Sequence, residues 1–283
     1  MSAGASAVAR TLAALALVAG SSAGAYALRG RLNRRYDAAR RTLDDATIPT
    51  PVVARVISLG HTEWMTDVLW VNATLYYGET LVAHLPARYI SRYADTMIAL
   101  DPAFRRAYAW GAQSLTLRTV ASTRDDIEQA GAFLRRGIDR FPSDPELHLQ
   151  YGFNRAFDAT PYVRRQSDAW RSLRARGAEH LRFAATAAYG PPWLPLTASG
   201  LLRAAGRDRD SVLVLIDGLL HTDDPSAVSL IEGRLLELLR DRDDDPLSTA
   251  ALDTVRARRA SHAWMSPTLH LFVGDAGFSR PRR

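Results

Sequence analysis

The sequence predicts an all-α protein in which an N-terminal membrane helix precedes an irregular solenoid of α-hairpins. Three observations support this prediction. An uncharged apolar segment, Thr11–Leu28, lies near the N-terminus. Beyond it, apolar residues recur at helical spacing, and alternating runs with a period of two are scarce. Four times in this helical part, a proline is followed eight to ten residues later by a glycine, which indicates internal repetition.

Four segments are expected along the chain. Residues 1–41 form a targeting or transmembrane segment with a basic flank, and residues 42–57 form a linker. Residues 58–265 form the helical repeat domain, and residues 266–283 form a C-terminal tail. At 47% hydrophobic and 23% charged residues, the chain has the composition of a folded protein and not of a disordered one.

The apolar segment 11–28 is long enough to cross a bilayer. As a helix it would span about 27 Å, close to the hydrocarbon thickness of about 30 Å. One arginine precedes it and six follow it, which favours an uncleaved single-pass anchor with the body on the cytoplasmic side of a bacterial inner membrane. Ala23-Gly24-Ala25 fits a signal-peptide cleavage site, so a periplasmic body stays open as the alternative.

The basic charge of the chain is concentrated at the N-terminus. Residues 1–41 carry seven arginines and one aspartate, whereas the other 29 arginines are balanced by 29 acidic residues. The body therefore offers no surplus of positive charge for a duplex, and we expect no nucleic-acid partner. Binding of anionic lipid or nucleic acid through the segment Arg29–Arg41 remains an alternative.

The composition and motifs give no positive case for catalysis. The chain has no cysteine, and all of its basic side chains are arginines, which excludes thiolate nucleophiles, cysteine zinc sites and Schiff-base lysines. In the acidic loop Asp241–Pro246, a proline occupies the position where a calcium loop needs glycine. We expect no catalytic residue, cofactor, metal or small-molecule substrate. An envelope hydrolase remains an alternative, in which carboxylates from Glu146, Glu232 and Glu237 would converge.

The repeated motif has a physical explanation. Its members are Pro102 with Gly111, Pro142 with Gly152, Pro191 with Gly200, and Pro225 with Gly233. Proline ends one helix and is tolerated in the first turn of the next, where Asp101 and Asp144 can accept the free backbone N–H groups. A glycine inside a helix costs about 1 kcal/mol. Close helix approach would offset this cost, with Ala130 and Gly137 as candidate partner positions.

These residues resemble the tetratricopeptide repeat family. The best match consists of Ala130, Leu134, Gly137 and Pro142, followed by Tyr151 and Gly152. Weaker matches are Phe104–Gly111 and the set Ala178, Leu181, Ala185 and Gly200, and the resemblance covers about residues 89–239. It departs from a regular array by insertions near residues 117–124 and 158–174. The resemblance implies a TPR-like α-hairpin solenoid.

The resemblance also implies a concave groove that binds a protein or peptide. The groove positions carried over from the family are Arg105, Tyr108, Leu149, Phe153, Leu201 and Arg234. Either a partner helix or extended peptide, or the chain's own tail Ser266–Phe278, would fill this groove. The function expected from these features is that of a membrane-tethered, non-catalytic scaffold for protein–protein interaction.

The stretch Ser58–Glu79 is unusually apolar for a surface helix. It resembles the opening helix of bacterial proteins that combine an N-terminal anchor with tetratricopeptide-like repeats, and that resemblance implies no activity. Trp64, Val68, Val71 and Leu75 share one helical face. We expect this helix to cap the stack or to meet a partner.

Overall fold

The computed structural model describes residues 48–117, 121–240 and 246–261, together with Gly20, Tyr26 and Gly30. The described part contains eleven α-helices and no strand, which confirms the all-α class. The helices are α1 (Pro51–Ile57), α2 (Thr62–Val82), α3 (Ile90–Leu100), α4 (Arg105–Thr116), α5 (Arg124–Arg140), α6 (Pro145–Phe153), α7 (Asp168–Thr186), α8 (Leu194–Ala204), α9 (Asp208–His221), α10 (Pro225–Leu239) and α11 (Pro246–Ser261). A π-helical turn, Asn154–Asp158, continues α6, and a 3₁₀ turn, Thr160–Tyr162, follows it.

The chain divides into two compact units, residues 1–49 and residues 50–283. Most of the predicted anchor 11–28 and of its basic flank lies outside the described residues, as does the tail 266–283. None of the helices in the described part is long and apolar enough to cross a membrane.

Each helix of the second unit packs against the next one along the chain. Further contacts join helices two places apart, namely α1 with α3, α7 with α9, α8 with α10, and α9 with α11. The apolar core is correspondingly local. One cluster joins α6, α7, α8 and α9, and another joins α9, α10 and α11.

The turn chemistry agrees with the sequence at two of the predicted helix starts. Asp144 Oδ1 accepts hydrogen bonds from the backbone N–H groups of Glu146 and Leu147 at 3.0 and 3.2 Å. Asp224 caps α10 in the same way, and a proline follows each cap as the first helical residue. The prediction is wrong for Asp101, whose carboxylate accepts from Ala103 N–H within the turn, because α4 begins only at Arg105.

The helical body begins earlier than the predicted start at residue 58. Residues 51–57, which the sequence places in the linker, form α1 with Thr50 as N-cap and a proline at the first position. Ala54 is buried, and the Arg55 guanidinium donates a 2.7 Å hydrogen bond to Ala99 O at the end of α3. The second predicted insertion, 158–174, is shorter than expected, because α7 already begins at Asp168 after the N-cap Ser167.

The prediction that glycines mark close helix approach is confirmed at Gly111 and Gly152 and wrong at Gly200 and Gly233. A Cβ at Gly111 would lie 2.8 Å from the Ala94 Cβ. Gly200 and Gly233 are exposed, with no atom within 4 Å of a Cβ placed there. The proline-to-glycine spacing does not decide the outcome, because close approach depends on which way each helix is rotated about its axis.

Other small residues provide the remaining close approaches. A Cβ at Gly137 would meet the Tyr108 Cβ at 3.0 Å, as expected for a partner position. Gly177 of α7 and Gly218 of α9, which the sequence pattern did not single out, are packed still more tightly against α6 and α8 respectively.

Helix α2 packs on the body through its aromatic side chains. The Trp70 ring lies edge-on to Phe104 and Trp110, with centroids 5.5 and 5.4 Å apart. Tyr76 packs near Tyr93 of α3. This face of α2 covers the first helices of the body, whereas the face that carries Trp64 and Leu75 points outward.

Candidate functional site

An open pocket of about 560 Å³ lies where α4 begins, α5 ends and α6 begins, with a side chain from the segment after α7 closing one side. We call it the Arg105 pocket. Its lining residues are Arg105, Arg140, Phe141, Pro142, Ser143, Asp144, Pro145, Glu146 and Tyr189. A smaller pocket of about 230 Å³ adjoins it across Tyr189 and is lined mostly by the turns before α8 and α10.

The base of the Arg105 pocket is an arginine held between two carboxylates. Arg105 Nε and Nη2 donate to the two oxygens of Asp144, and Nη2 also donates to Glu146. These hydrogen bonds, that to Asp144 foremost, hold the pKa of Arg105 above its usual range. Because Asp144 also caps α6, one carboxylate joins the start of α4 to the start of α6.

The electrostatics at the bottom of the pocket favour an ionised Asp144. Burial alone would raise the pKa of Asp144, but hydrogen bonds from Arg105 and from two backbone N–H groups outweigh it, and the pKa is lowered. A general acid requires the opposite shift, so that it holds a proton near neutral pH. The group Arg105, Asp144 and Glu146 is therefore suited to holding the starts of α4 and α6 together, and Asp144 is not suited to act as a general acid.

The rim of the Arg105 pocket carries aromatic and cationic side chains. Tyr189 is 38% exposed, and burial is the main cause that raises the pKa of its phenol. The Arg140 guanidinium lies 5.7 Å from the centroid of the Phe141 ring. Four residues after Tyr189, Trp193 is 47% exposed at the start of α8.

The tetratricopeptide resemblance rests on sequence pattern. No protein-family model, curated protein or solved structure matches the chain. The residues that carry the resemblance are packed in the structure: Ala130 and Leu134 are buried in α5, and Gly137 lies against Tyr108. What the chain does is therefore inferred from its own geometry.

The structure brings only one of the six predicted groove residues, Arg105, to the Arg105 pocket. Tyr108 of α4 and Leu201 of α8 lie in the core and not on an open wall, because each is on the face of its helix that packs against a neighbouring helix. Leu149 and Phe153 are partly buried against the core of α7 and α8. Arg234 lies elsewhere, on α10, and pairs with Glu237 at 2.5 Å. The apolar residues that predicted a groove are therefore largely buried between neighbouring helices.

The carboxylates of the hydrolase hypothesis are not gathered in one cleft by their contacts. Glu146 pairs with Arg105, and Glu237 pairs with Arg234. Glu232 is buried at 9% exposure in α10. Within the described ranges, no group of three or more histidine, aspartate or glutamate side chains is placed to hold a metal ion.

A histidine pair behind the Arg105 pocket was not foreseen from the sequence. His148 of α6 and His180 of α7 lie with their Nδ1 atoms 2.9 Å apart. His148 Nε2 lies 3.1 Å from Pro142 O, a carbonyl of the pocket wall. Since a carbonyl only accepts, the neutral pair has one consistent arrangement: His148 donates from Nε2, and His180 donates from Nδ1 to His148 Nδ1.

This arrangement disfavours protonation of the pair. Burial, followed by the neighbouring His148, lowers the pKa of His180 from 6.5 to about 4. Burial also lowers the pKa of His148, although its bond to Pro142 opposes the shift. A base with a lowered pKa binds fewer protons in the folded than in the unfolded chain, so folding is destabilised as the pH falls from about 6.5 toward 4.

A second buried polar cluster lies at the π-helical turn after α6. The Arg155 guanidinium pairs with Glu128 of α5 at 2.9 Å and donates to Asn154 Oδ1 at 2.9 Å. It occupies the space that a side chain at Gly131 would fill. This glycine is needed because α5 must leave room for a buried cation, which the sequence pattern did not reveal.

Proposed function

We propose that the protein is a membrane-tethered helical-repeat scaffold that binds another protein or peptide and catalyses no reaction. The observation that carries the proposal is the Arg105 pocket, which presents aromatic and arginine side chains on a base fixed by ion pairs. Tyrosine, tryptophan and arginine are the residue types that contribute most at protein interfaces. A fixed base lowers the entropy lost on binding.

The repeat interpretation is part of this proposal. In the register of the tetratricopeptide resemblance, the repeats are the pairs α4–α5, α6–α7, α8–α9 and α10–α11, and each pair begins at or just after one of the four prolines. Each pair alone has little apolar area to bury, so stacking of neighbours would stabilise the array. The contacts between consecutive helices support this arrangement. In such an array the Arg105 pocket belongs to the edge where successive first helices, α4 and α6, begin.

The partner best suited to this edge is an extended peptide segment. The Arg105 pocket is open, and the adjoining smaller pocket continues its surface across Tyr189. Arg105 is already neutralised by its two carboxylates. Contact would therefore come mainly from Tyr189 and the exposed Arg140 of the pocket lining. Trp193 lies outside that lining, but a peptide that continues beyond Tyr189 toward the start of α8 would reach it.

A site-specific photocrosslink tests the proposal. A benzophenone amino acid is placed at Tyr189 or at Trp193 of the full chain and irradiated in its native cells. The matched control is Leu236 of α10, which is similarly exposed at 40% but lies away from the pocket. We expect the same discrete protein adduct from positions 189 and 193 and none from position 236.

The opposite result is equally clear. If positions 189 and 193 give no adduct, or give only what position 236 gives, the Arg105 pocket is not the partner site. An Arg140→Ala variant adds a graded readout, because loss of a rim contact should weaken the adduct from position 189 without unfolding the chain.

A further inference from the structure

The largest concentration of exposed apolar side chains lies at the start of the helical body. Ten of the 21 large apolar side chains that are exposed in the described residues fall between residues 51 and 85. Within α1, Ala54 and Arg55 face α3. Val52 and Val56 are exposed, and Leu59, just beyond the helix, is 85% exposed.

Helix α2, the next element along the chain, carries further exposed apolar side chains. Trp64, Val71, Leu75 and Val82 recur at spacings of seven, four and seven residues, which places them on one stripe along its 21 residues. Trp64 and Leu75 are each 61% exposed. The helix that carries the stripe is about 30 Å long, and none of the four stripe residues lines the Arg105 pocket.

We propose that this α1–α2 surface lies on the lipid bilayer, with its side chains in the headgroup region. The inference rests on the membrane tether of the proposed function. Twenty-two residues, 29–50, separate the apolar segment 11–28 from Pro51, and a chain of that length reaches at most about 75 Å. The tether therefore keeps α1 close to the bilayer, where a helix with an exposed apolar face gains stability by burying it about 5–10 Å deep.

Charge favours lipid over a second copy of the chain. Glu63 and Asp67 are exposed beside the stripe of α2. Two α2 helices packed side by side along this stripe would bring such carboxylates together, which is unfavourable. A lipid surface places no second set of these carboxylates opposite them. Trp64 fits the same environment, because tryptophan is enriched at membrane interfaces.

The absence of cysteine from the chain permits a clean test. Single cysteines replace Val56, Leu75 or Leu230 in the full chain, which is reconstituted into phosphatidylcholine vesicles and spin-labelled. Leu230 is the matched control, since it is 59% exposed but lies on α10. We expect the labels at 56 and 75 to be severalfold less accessible to a water-soluble nickel chelate, and more accessible to oxygen, than the label at 230.

Each other outcome overturns the inference in a recognisable way. Equal nickel accessibility at all three positions, on chains that float with the vesicles, would place the α1–α2 surface in water and leave the tether intact. Dipolar broadening between labels at position 75, without oxygen exposure, would assign the surface to a second copy. Chains that do not float with the vesicles would overturn both this inference and the tether.

Discussion

Replacing Gly177 with alanine tests the close packing of α7 on α6. A Cβ at Gly177 would lie 2.7 Å from the Ala156 Cβ and 2.8 Å from both Ala156 N and Gly152 O. Two of these three atoms are backbone, so α6 or α7 would have to shift. Overpacking of this kind costs about 1–3 kcal/mol, and the backbone contacts place Gly177 near the upper end of that range.

The gain in helix propensity reduces this cost only in part. Alanine in place of glycine stabilises a helix interior by about 1 kcal/mol, so the Gly177→Ala variant should lose about 2 kcal/mol of unfolding free energy. Gly200 of α8 and Gly233 of α10 provide matched controls, because both are inside helices and face open space. Gly200→Ala and Gly233→Ala should each gain up to about 1 kcal/mol.

Thermal and urea unfolding, followed by far-UV circular dichroism, would measure these differences on the full chain in a mild detergent. For a domain of this size, we expect the midpoint to fall by about 4–8 °C in Gly177→Ala and to rise by about 2–4 °C in Gly200→Ala. If Gly177→Ala were as stable as the controls, α6 and α7 would not approach as closely as described. If Gly200→Ala were destabilised, another part of the molecule would cover that face.

Three further predictions concern the polar clusters. The contribution of His180 to stability should fall by about 1–2 kcal/mol between pH 6.5 and 4, after allowance for solvent screening at this partly exposed residue. Urea titrations of His180→Gln should therefore show a weaker pH dependence than those of the unaltered chain, and an equal pH dependence would contradict the assignment. Gly131→Ala should lower the free energy of unfolding by about 2–4 kcal/mol, because it displaces the buried guanidinium of Arg155. In a double-mutant cycle, this loss should be smaller in an Arg155→Leu background, and additive losses would contradict the contact between residues 131 and 155. Asp144→Ala should lower the free energy of unfolding by about 2 kcal/mol, because it removes both the cap of α6 and the ion pair with Arg105. Asp144→Asn can still cap α6 and should lower it by about half as much in urea unfolding. Equal losses in the two variants would mean that the cap does not contribute.

The sequence by itself determined the helical class and the helix starts at Asp144-Pro145 and Asp224-Pro225. Prolines and capping side chains act on backbone groups two or three residues away, as at Asp144 and Asp224, so their effect is visible in a short stretch of sequence. The same local chemistry should have identified α1, where Thr50 and Pro51 form a cap and a first turn. That helix was assigned to a linker because its seven residues are too few to show a period.

Only the tertiary structure decided which side chains meet. Arg105 pairs with Asp144, 39 residues away in the sequence, and His148 contacts His180, 32 residues away. Such contacts depend on how each helix is rotated about its axis, since each residue turns the side-chain direction by about 100°. For the same reason, equal spacing from a proline buried Gly111 and left Gly200 exposed. Helical periodicity fixes which residues share a face, but the neighbouring helices decide which face is covered.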